Sequence, residues 1–359
     1  MKSNIRIKIR RDYKLFRRKI MSKEKRRLRN IAHNSITKEE RKIRNIATSI
    51  NHNKNKYKHL YAPQYFSLLD NTEEVLSFIK DIDRCYERKK SIFIEMTKVE
   101  TIAYGAIVVL LSKLVQFKSK KLDVNGNFPN NPKARKLLKE SGFIEYLYKD
   151  GVEDKNEYYI DKKICTHAKR IADPVLSDNV IKNVSKVLWG DERRCIGVQR
   201  VFLELMQNTN NHASKNVGEK LWWSSIVPVT DSTGNIVKIC FSFIDYGIGI
   251  FSSLSQKTQG VFVGIIDKIK RAFGNVNDAE MMKLLLQGDI HRTATGHSYR
   301  GKGLPGIYNA MVKNDISNLK IISNSAFADV VNNQYKLLNN NFSGTYVYWE
   351  INKNSNNYL

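Results

Sequence analysis

The sequence has few cysteines, few acidic residues and no long uninterrupted apolar run. Its 4 cysteines are far apart, with no CxxC pair and no histidine pair beside them, which argues against a zinc site or a disulfide scaffold. They are Cys85, Cys165, Cys195 and Cys240. Scattered thiols are typical of a reducing compartment, so we expect a cytoplasmic protein. The longest apolar run, Gly105 to Phe117, is interrupted by Lys113 and predicts no transmembrane segment.

The shortage of acids leaves 35 Asp and Glu against 61 Lys and Arg in 359 residues, a formal net charge of +26. Residues 1–60 alone hold 21 basic and 4 acidic residues, a net charge of +17. Because 42% of the residues are hydrophobic, the chain can bury a sizeable core and is not disordered throughout. We therefore expect residues 1–60 to be a basic, partly helical or disordered arm that docks an anionic partner, either nucleic acid or acidic protein.

Residues 61–150 carry the pattern of a small α/β module. The predicted elements are a strand over Ser91–Met96, a buried helix over Thr101–Phe117, a strand over Leu122–Gly126 and a helix over Pro132–Glu140. Strand and helix alternate, which favours a parallel strand pair with a right-handed crossover. In this element order and in the turn at Asn125 and Gly126, the segment resembles the STAS-like fold of anti-sigma-factor antagonists.

Glu204, Asn208 and His212 recur at intervals of four residues and therefore share one face of a predicted helix. Asparagine is a poor helix former, so an asparagine-rich face indicates a site more than a solvated surface. Taken alone, the pattern also fits a polar helix face.

An apolar strand, Ile239 to Ile244, runs directly into Asp245, which is followed by Gly247 and Gly249. A carboxylate at this position can accept a hydrogen bond from an exocyclic amine, and glycines let the backbone approach a flat ligand closely. Taken alone, the pattern also fits a glycine-rich turn that closes a strand.

Three glycines, Gly301, Gly303 and Gly306, lead into a predicted helix over Ile307–Val312. Free N–H groups and the helix dipole at such an N-terminus bind phosphate. The spacing is neither that of a Walker A loop nor that of a dinucleotide-binding fingerprint.

Arg300 and Lys302 add positive charge to the same segment. Pro305 lacks an N–H group, so one phosphate donor is expected to be missing there. A fourth motif, Ser343–Gly344–Thr345, is predicted to open an alternating final strand.

In this order, the four motifs resemble those of the GHKL ATPases, which include DNA gyrase, the large heat-shock chaperones, histidine kinases and anti-sigma-factor kinases. The Glu-x-x-x-Asn-x-x-x-His-Ala spacing is most similar to the anti-sigma-factor serine kinases. The resemblance implies an α/β (α+β) protein with a Bergerat-type two-layer α/β sandwich and a mixed sheet over residues 151–359. A lid over about 251–300, the STAS-like module and the basic arm complete the expected architecture.

Carried over residue by residue, the resemblance implies a site for ATP and Mg²⁺. Glu204 would be the general base, Asn208 would bind ATP and the Mg²⁺, and Asp245 would bind the adenine amino group. The other implied ATP contacts are His212, Gly247, Gly249, Arg300, Gly301, Lys302, Gly303, Leu304, Gly306 and Thr345.

Three functions stay open on the sequence. The first is an ATPase that hydrolyses ATP slowly as a switch, with the lid and arm coupling nucleotide state to a partner. The second is a protein serine/threonine kinase of the anti-sigma-factor type, favoured by the His212 spacing and the STAS-like module. The third is an ATP-gated nucleic-acid-binding module, favoured by the arm. The oligomeric state is open, with a homodimer among the alternatives.

Overall fold

The computed structural model describes residues 21–26, 57–148, 165–169, 173–212, 222–252, 274, 276–288 and 303–355. The chain divides into two compact units, Met1–Lys58 and His59–Leu359. In the first unit, residues 21–26 form an exposed helical segment. The second unit contains all the elements that position the candidate site.

Residues 58–148, from the start of β1, are called the N-terminal module here. Its elements are β1 (Lys58–Tyr61), β2 (Tyr65–Phe66), α1 (Thr72–Glu87), β3 (Ile92–Glu95), β4 (Thr101–Ile102), α2 (Tyr104–Ser119), β5 (Val124–Gly126), α3 (Pro132–Glu140) and α4 (Phe143–Tyr148). The predicted parallel pair is confirmed, because β3 and β5 pair in parallel with Ile92 opposite Val124. Helix α2 begins three residues later than predicted, since Thr101 and Ile102 pair with β2 instead.

Residues 165–355 are called the C-terminal module. Its elements are β6 (Cys165–Lys169), α5 (Pro174–Trp189), α6 (Ile196–His212), β7 (Trp222–Thr230), β8 (Ile236–Asp245), α7 (Asp278–Gln287), α8 (Gly303–Val312), β9 (Ser317–Asp329) and β10 (Gln334–Asn352). Local signals explain the helix ends. Asp173 caps α5 through a 2.8 Å bond from Leu176 N, with Pro174 at the first helical position. Asn277 and Glu280 form a capping box on α7.

The five described strands of the C-terminal module form one sheet in the order β6-β7-β8-β10-β9. Each of its described strand pairs is antiparallel, which corrects the expectation of a mixed sheet over residues 151–359. The physical reason is connection length: short turns join β7 to β8 and β9 to β10, and a short turn can join only antiparallel neighbours. Parallel pairing is found in the N-terminal module. The protein is thus a mixed α/β structure with both kinds of sheet.

The two faces of this sheet pack against different partners, because successive side chains of a strand point to opposite faces. On one face, Phe241 and Phe243 of β8 join a core with α5, α6, α7 and α8. On the other face, Ile244 of β8 and Tyr346 of β10 join a core with α1 and α2 of the N-terminal module. Helices therefore cover both faces of the sheet, and the two modules share the second core.

Among the described residues, no helix is both long enough and apolar enough to cross a membrane.

Candidate functional site

Helix α6 presents Glu204 and Asn208 at the edge of the first core. Its opposite side is held in place by buried apolar residues. These are Val198, Val201, Phe202, Leu205 and Met206. Glu204 keeps 24% of its side chain exposed, and Asn208 is half-buried one turn further along. A carboxylate and an amide therefore stand side by side, within reach of solvent, on a helix whose position is set by the core.

The N-terminus of α8 lies directly against these two side chains. A Cβ atom built on Gly303 would lie 3.2 Å from Asn208 Nδ2 and 3.4 Å from Glu204 Oε2. Gly303 is also the first residue of α8, where backbone N–H groups have no acceptor inside the helix and the helix dipole is positive. The structure therefore brings the first and third sequence motifs together.

Pro305 is the third residue of α8 and causes no break in the helix. Proline is tolerated in the first helical turn, where its missing N–H would have had no intrahelical partner. A Cβ on Gly288 would lie 3.7 Å from the Pro305 ring, an ordinary van der Waals distance, so the residue that follows α7 lies beside this ring. Pro305 has no N–H group, while Gly303, Leu304 and Gly306 retain theirs.

Arg200 also belongs to the site, although the sequence motifs did not predict it. Its Nε atom lies 3.9 Å from Glu204 Oε1, and a Cβ on Gly306 would lie 3.6 Å from its Nη2. Arg200 precedes Glu204 by four residues, so it belongs to the same helix face. Extending the four-residue spacing of Glu204, Asn208 and His212 by one turn toward the N-terminus would have found it. The site therefore contains a guanidinium group between its carboxylate and α8.

Asp245 is the last residue of β8, and its Oδ1 atom is buried without a donor among the described residues. Alternation along β8 places Asp245 on the same face as Phe241 and Phe243, which is the face covered by α6. Burial raises the pKa of Asp245 to about 6, although the Gly247 N–H donates a hydrogen bond to the carboxylate. A buried acceptor with no partner is costly, and this one adjoins a loop.

Two glycines allow the backbone around Asp245 to close. Gly344 has φ +127°, and a Cβ there would lie 1.9 Å from the Asp245 carbonyl oxygen. Gly249 has φ +79°, and a Cβ there would lie 2.3 Å from Asn324 Oδ1. Both positions therefore require glycine for conformation and for space.

Thr345 follows Gly344 and is paired with Asp245 across β8 and β10. The expectation that Gly344 and Thr345 open the final strand is corrected, because β10 begins at Gln334 and passes through them at an irregularity. This irregularity has a local cause: the φ of Gly344 departs from extended strand geometry.

Ser323 and Asn324 of β9 hold the loop that follows Asp245. Ser323 Oγ accepts from Ile250 N at 2.9 Å, donates to Gly344 O at 2.9 Å and lies 3.1 Å from Thr345 Oγ1. Asn324 accepts from Phe251 N at 3.1 Å and donates to the Ile248 carbonyl at 2.9 Å. No sequence motif predicts a role for these two residues, because the loop residues that they bind lie more than 70 positions earlier in the sequence.

Several predicted site residues lie outside the described residues. They are Arg300, Gly301 and Lys302, together with the side chain of His212, whose backbone ends α6. Of the predicted lid over 251–300, the structure describes residues 251–252, 274 and 276–288. Leu304 packs against the first core from α8. Its contact with phosphate, like those of Gly306 and Thr345 with ATP, stays a prediction.

A scan against models of protein families and a search of curated proteins find no match for this chain.

Proposed function

We propose that this chain binds ATP with Mg²⁺ and hydrolyses it slowly, as a switch whose nucleotide state is coupled to an anionic partner of residues 1–60. The observation that carries this proposal is the buried Oδ1 of Asp245, on the sheet face that is covered by α6, the helix of Glu204 and Asn208. An unsatisfied buried acceptor costs about 1–3 kcal/mol, which a ligand donating a hydrogen bond there would recover.

An exocyclic amine on a flat base fits this acceptor. A carboxylate attracts the N6 amine of adenine and repels the carbonyl oxygen that guanine carries at the same ring position. At neutral pH a carboxyl with a pKa of about 6 is mostly ionised and accepts such a bond. Gly247 keeps the space beside the carboxylate clear, because a Cβ there would lie 3.2 Å from both of its oxygens. The site therefore favours ATP over GTP.

The phosphate end of the nucleotide is assigned to α8 and α6. Backbone N–H groups at Gly303 and Leu304 would face the phosphates, as at other phosphate-binding helix N-termini. Arg200 adds a cation beside Glu204.

Magnesium fits the same end of the site. In the part of the chain that the structure describes, no group of three or more His, Cys, Asp or Glu is placed to hold a metal ion. Mg²⁺ in nucleotide sites keeps several waters and takes the rest of its ligands from substrate phosphates and one or two protein groups. The side-chain oxygen of Asn208 would be that protein ligand. The ion would neutralise charge that builds up on the phosphates during transfer.

Glu204 is the residue placed to activate water. It stands beside Asn208 and Gly303, where the phosphates are assigned. In hydrolysis, the oxygen of a water bonds to the γ-phosphorus, the bond from that phosphorus to the bridging oxygen breaks, and the proton of the water passes to Glu204. The products are ADP and inorganic phosphate.

Titration calorimetry with ATP·Mg²⁺ and GTP·Mg²⁺ tests base recognition. We expect ATP to bind the unmodified protein, GTP to bind at least tenfold more weakly, and Asp245→Asn to lose most of this preference. Asp191→Asn, an exposed aspartate after α5, is the matched control and should bind ATP as the unmodified protein does. Equal affinity for ATP and GTP, or ATP binding unchanged in Asp245→Asn, would refute the assignment.

Incubation with ATP labelled at the γ-phosphate tests the reaction. Label in free phosphate identifies an ATPase. Label on the protein or on an added protein would identify a kinase instead and would overturn the proposed reaction while leaving the nucleotide site in place.

A further inference from the structure

The two residues that flank the proposed base site are each followed by a tyrosine that crosses to the other face of the sheet. Asp245 and Thr345 are paired across β8 and β10. Tyr246 and Tyr346 come next in sequence, and both contact α2 of the N-terminal module. Strand alternation explains this arrangement, because consecutive side chains point to opposite faces. One helix therefore contacts, from behind, both of the segments that carry the site.

Tyr246 is tied to α2 by its hydroxyl group. Ser112 Oγ donates its one proton to the Val109 carbonyl at 2.7 Å and therefore accepts from the Tyr246 hydroxyl, whose oxygen lies 2.6 Å away. The Val109 carbonyl lies 3.3 Å from the Tyr246 oxygen and is a second, longer acceptor for the tyrosine proton. Ser112 is fully buried, so this hydrogen bond is shielded from competing water.

An ion pair between a buried lysine and a partly exposed aspartate lies against the ring of the same tyrosine. Lys113 Nζ lies 4.6 Å from the centre of the Tyr246 ring, within range of a cation–π interaction. The same ammonium donates to both carboxylate oxygens of Asp83 in α1, at 2.7 and 2.8 Å. Only 7% of the Lys113 side chain is exposed, so the pair is held within the N-terminal module. Both α1 and α2 therefore determine where Tyr246 lies.

Tyr346 makes an equally close approach to α2. A Cβ on Gly105 would lie 2.2 Å from the Tyr346 hydroxyl oxygen, so only glycine leaves room for this contact. The Tyr346 hydroxyl also lies 3.1 Å from Ser242 Oγ of β8. The contact between helix and sheet is thus closely packed at two points, one behind each segment of the site.

We propose that Ser112 and Tyr246 are positioning residues for base recognition: α2 holds Tyr246, and Tyr246 holds Asp245 and Gly247 on either side of it. The N-terminal module and the nucleotide site are consequently coupled. The inference rests on the proposed function, because it names Asp245 as the acceptor of the base. Coupling of this kind is reciprocal, so a bound nucleotide would also strengthen the contact between α2 and the sheet.

The test compares Ser112→Ala, Tyr246→Phe and the double variant with Ser119→Ala. Ser119 is the matched control because it is an exposed serine of the same helix, and its hydroxyl likewise donates to a backbone carbonyl, that of Gln116. Each single variant removes one side of the bond between Ser112 and Tyr246 while retaining most of the packing. We expect each to weaken ATP binding by about tenfold.

Non-additivity separates positioning from general destabilisation. Both substitutions remove the same hydrogen bond. The ATP affinity of the double variant should therefore be no lower than that of whichever single variant has the lower affinity. Ser119→Ala should bind as the unmodified protein does. Wild-type affinity in Ser112→Ala and Tyr246→Phe would overturn the proposal, and so would losses that multiply in the double variant.

Amide exchange without nucleotide provides a readout that does not depend on ATP. Exchange of the amides of residues 245–252 should be faster in Ser112→Ala than in Ser119→Ala, because the loop has lost its anchor. If the unmodified protein binds no nucleotide, the proposed function fails, and this exchange measurement still decides whether Ser112 positions the loop. Equal exchange rates in the two variants would overturn the positioning role.

Discussion

Asp245 of β8 lies directly opposite Thr345 of β10 in the sheet, although a hundred positions separate them in sequence. The Thr345 Oγ1 atom is in turn 3.1 Å from Ser323 Oγ of β9. The Ser323 hydroxyl also accepts a hydrogen bond from the N–H of Ile250, in the loop after Asp245. Three neighbouring strands therefore fix the backbone around Asp245. The buried Oδ1 atom of Asp245 has no donor among the described residues, and this motivates the first prediction.

Asp245→Asn should make the nucleotide-free protein more stable at neutral pH. The pKa of Asp245 rises from 3.8 to about 6 on folding, so the native state binds its proton more tightly than the unfolded state does. The free energy of unfolding therefore falls as pH rises from about 4 to about 6, by up to about 3 kcal/mol. Asparagine does not titrate in this range. Urea unfolding at pH 4.5 and pH 7.5 should therefore show that the variant has a higher free energy of unfolding than the unmodified protein, by a larger margin at pH 7.5.

Asp329→Asn is the control with the opposite sign. Burial opposes ionisation of Asp329, yet bonds from Asn332 and Lys320 lower its pKa below the usual value. Its charge therefore stabilises the fold above the usual pKa of aspartate, and this contribution is lost as pH falls. Asp329→Asn should thus destabilise at pH 7.5. If the Asp245→Asn variant also loses stability relative to the unmodified protein, and loses more at pH 7.5 than at pH 4.5, then the Asp245 carboxylate has its hydrogen-bond donors in the native state and the first prediction is wrong.

Glu204→Ala should retain ATP binding and lose hydrolysis. General bases contribute about 10²–10⁴-fold to rate, so kcat should fall by at least about 100-fold. Phosphate release and calorimetry with ATP·Mg²⁺ measure the two properties separately. Gln207→Ala, an exposed position on the same helix, should leave both unchanged. Hydrolysis at the unmodified rate in Glu204→Ala would exclude this glutamate as the base.

Arg200→Gln should weaken ATP binding more than ADP binding. The guanidinium lies between Glu204 and α8, where the terminal phosphate is assigned, and hydrogen bonds to charged groups contribute about 1.5–3 kcal/mol. We expect at least a tenfold loss in ATP affinity and a smaller loss for ADP, measured by competition with a fluorescent nucleotide. Equal losses for the two nucleotides would place Arg200 away from the γ-phosphate.

The local features of the site were predictable because short-range patterns encode them. The four-residue spacing of Glu204 and Asn208 requires a shared helix face, and an apolar strand running into Asp245 requires that side chain at a strand end. The cap of α5 by Asp173 also follows from the local sequence.

The remaining features depend on long-range pairing, which the sequence pattern does not specify. Ser323 and Asn324 reach the loop after Asp245 through the register of β9 and β10. Gly344 and Thr345 lie inside β10 rather than at its start, because the strand continues through the irregularity that Gly344 permits. The packing of α2 behind Tyr246 likewise follows from tertiary structure, since Ser112 lies 134 positions away in sequence.

Gly303→Ala should weaken ATP·Mg²⁺ binding without destabilising the fold. The added methyl group would lie 3.2 Å from Asn208 Nδ2 and 3.4 Å from Glu204 Oε2, and so crowd the two side chains assigned to magnesium and water. Alanine is nonetheless the better helix former, by about 1 kcal/mol in a helix interior and less at an end, so α8 itself should not weaken. Thermal unfolding and calorimetry measure the two effects.

Asn309→Ala, exposed on the same helix, is the control for Gly303→Ala, because it raises helix propensity without adding an atom near Asn208. It should keep ATP affinity while matching or exceeding the stability of the unmodified protein. If Gly303→Ala binds ATP·Mg²⁺ as tightly as Asn309→Ala does, then the space between α8 and α6 is not where the phosphates lie. A loss of affinity confined to Gly303→Ala, at undiminished stability, is the result that the contact between Gly303 and Asn208 predicts.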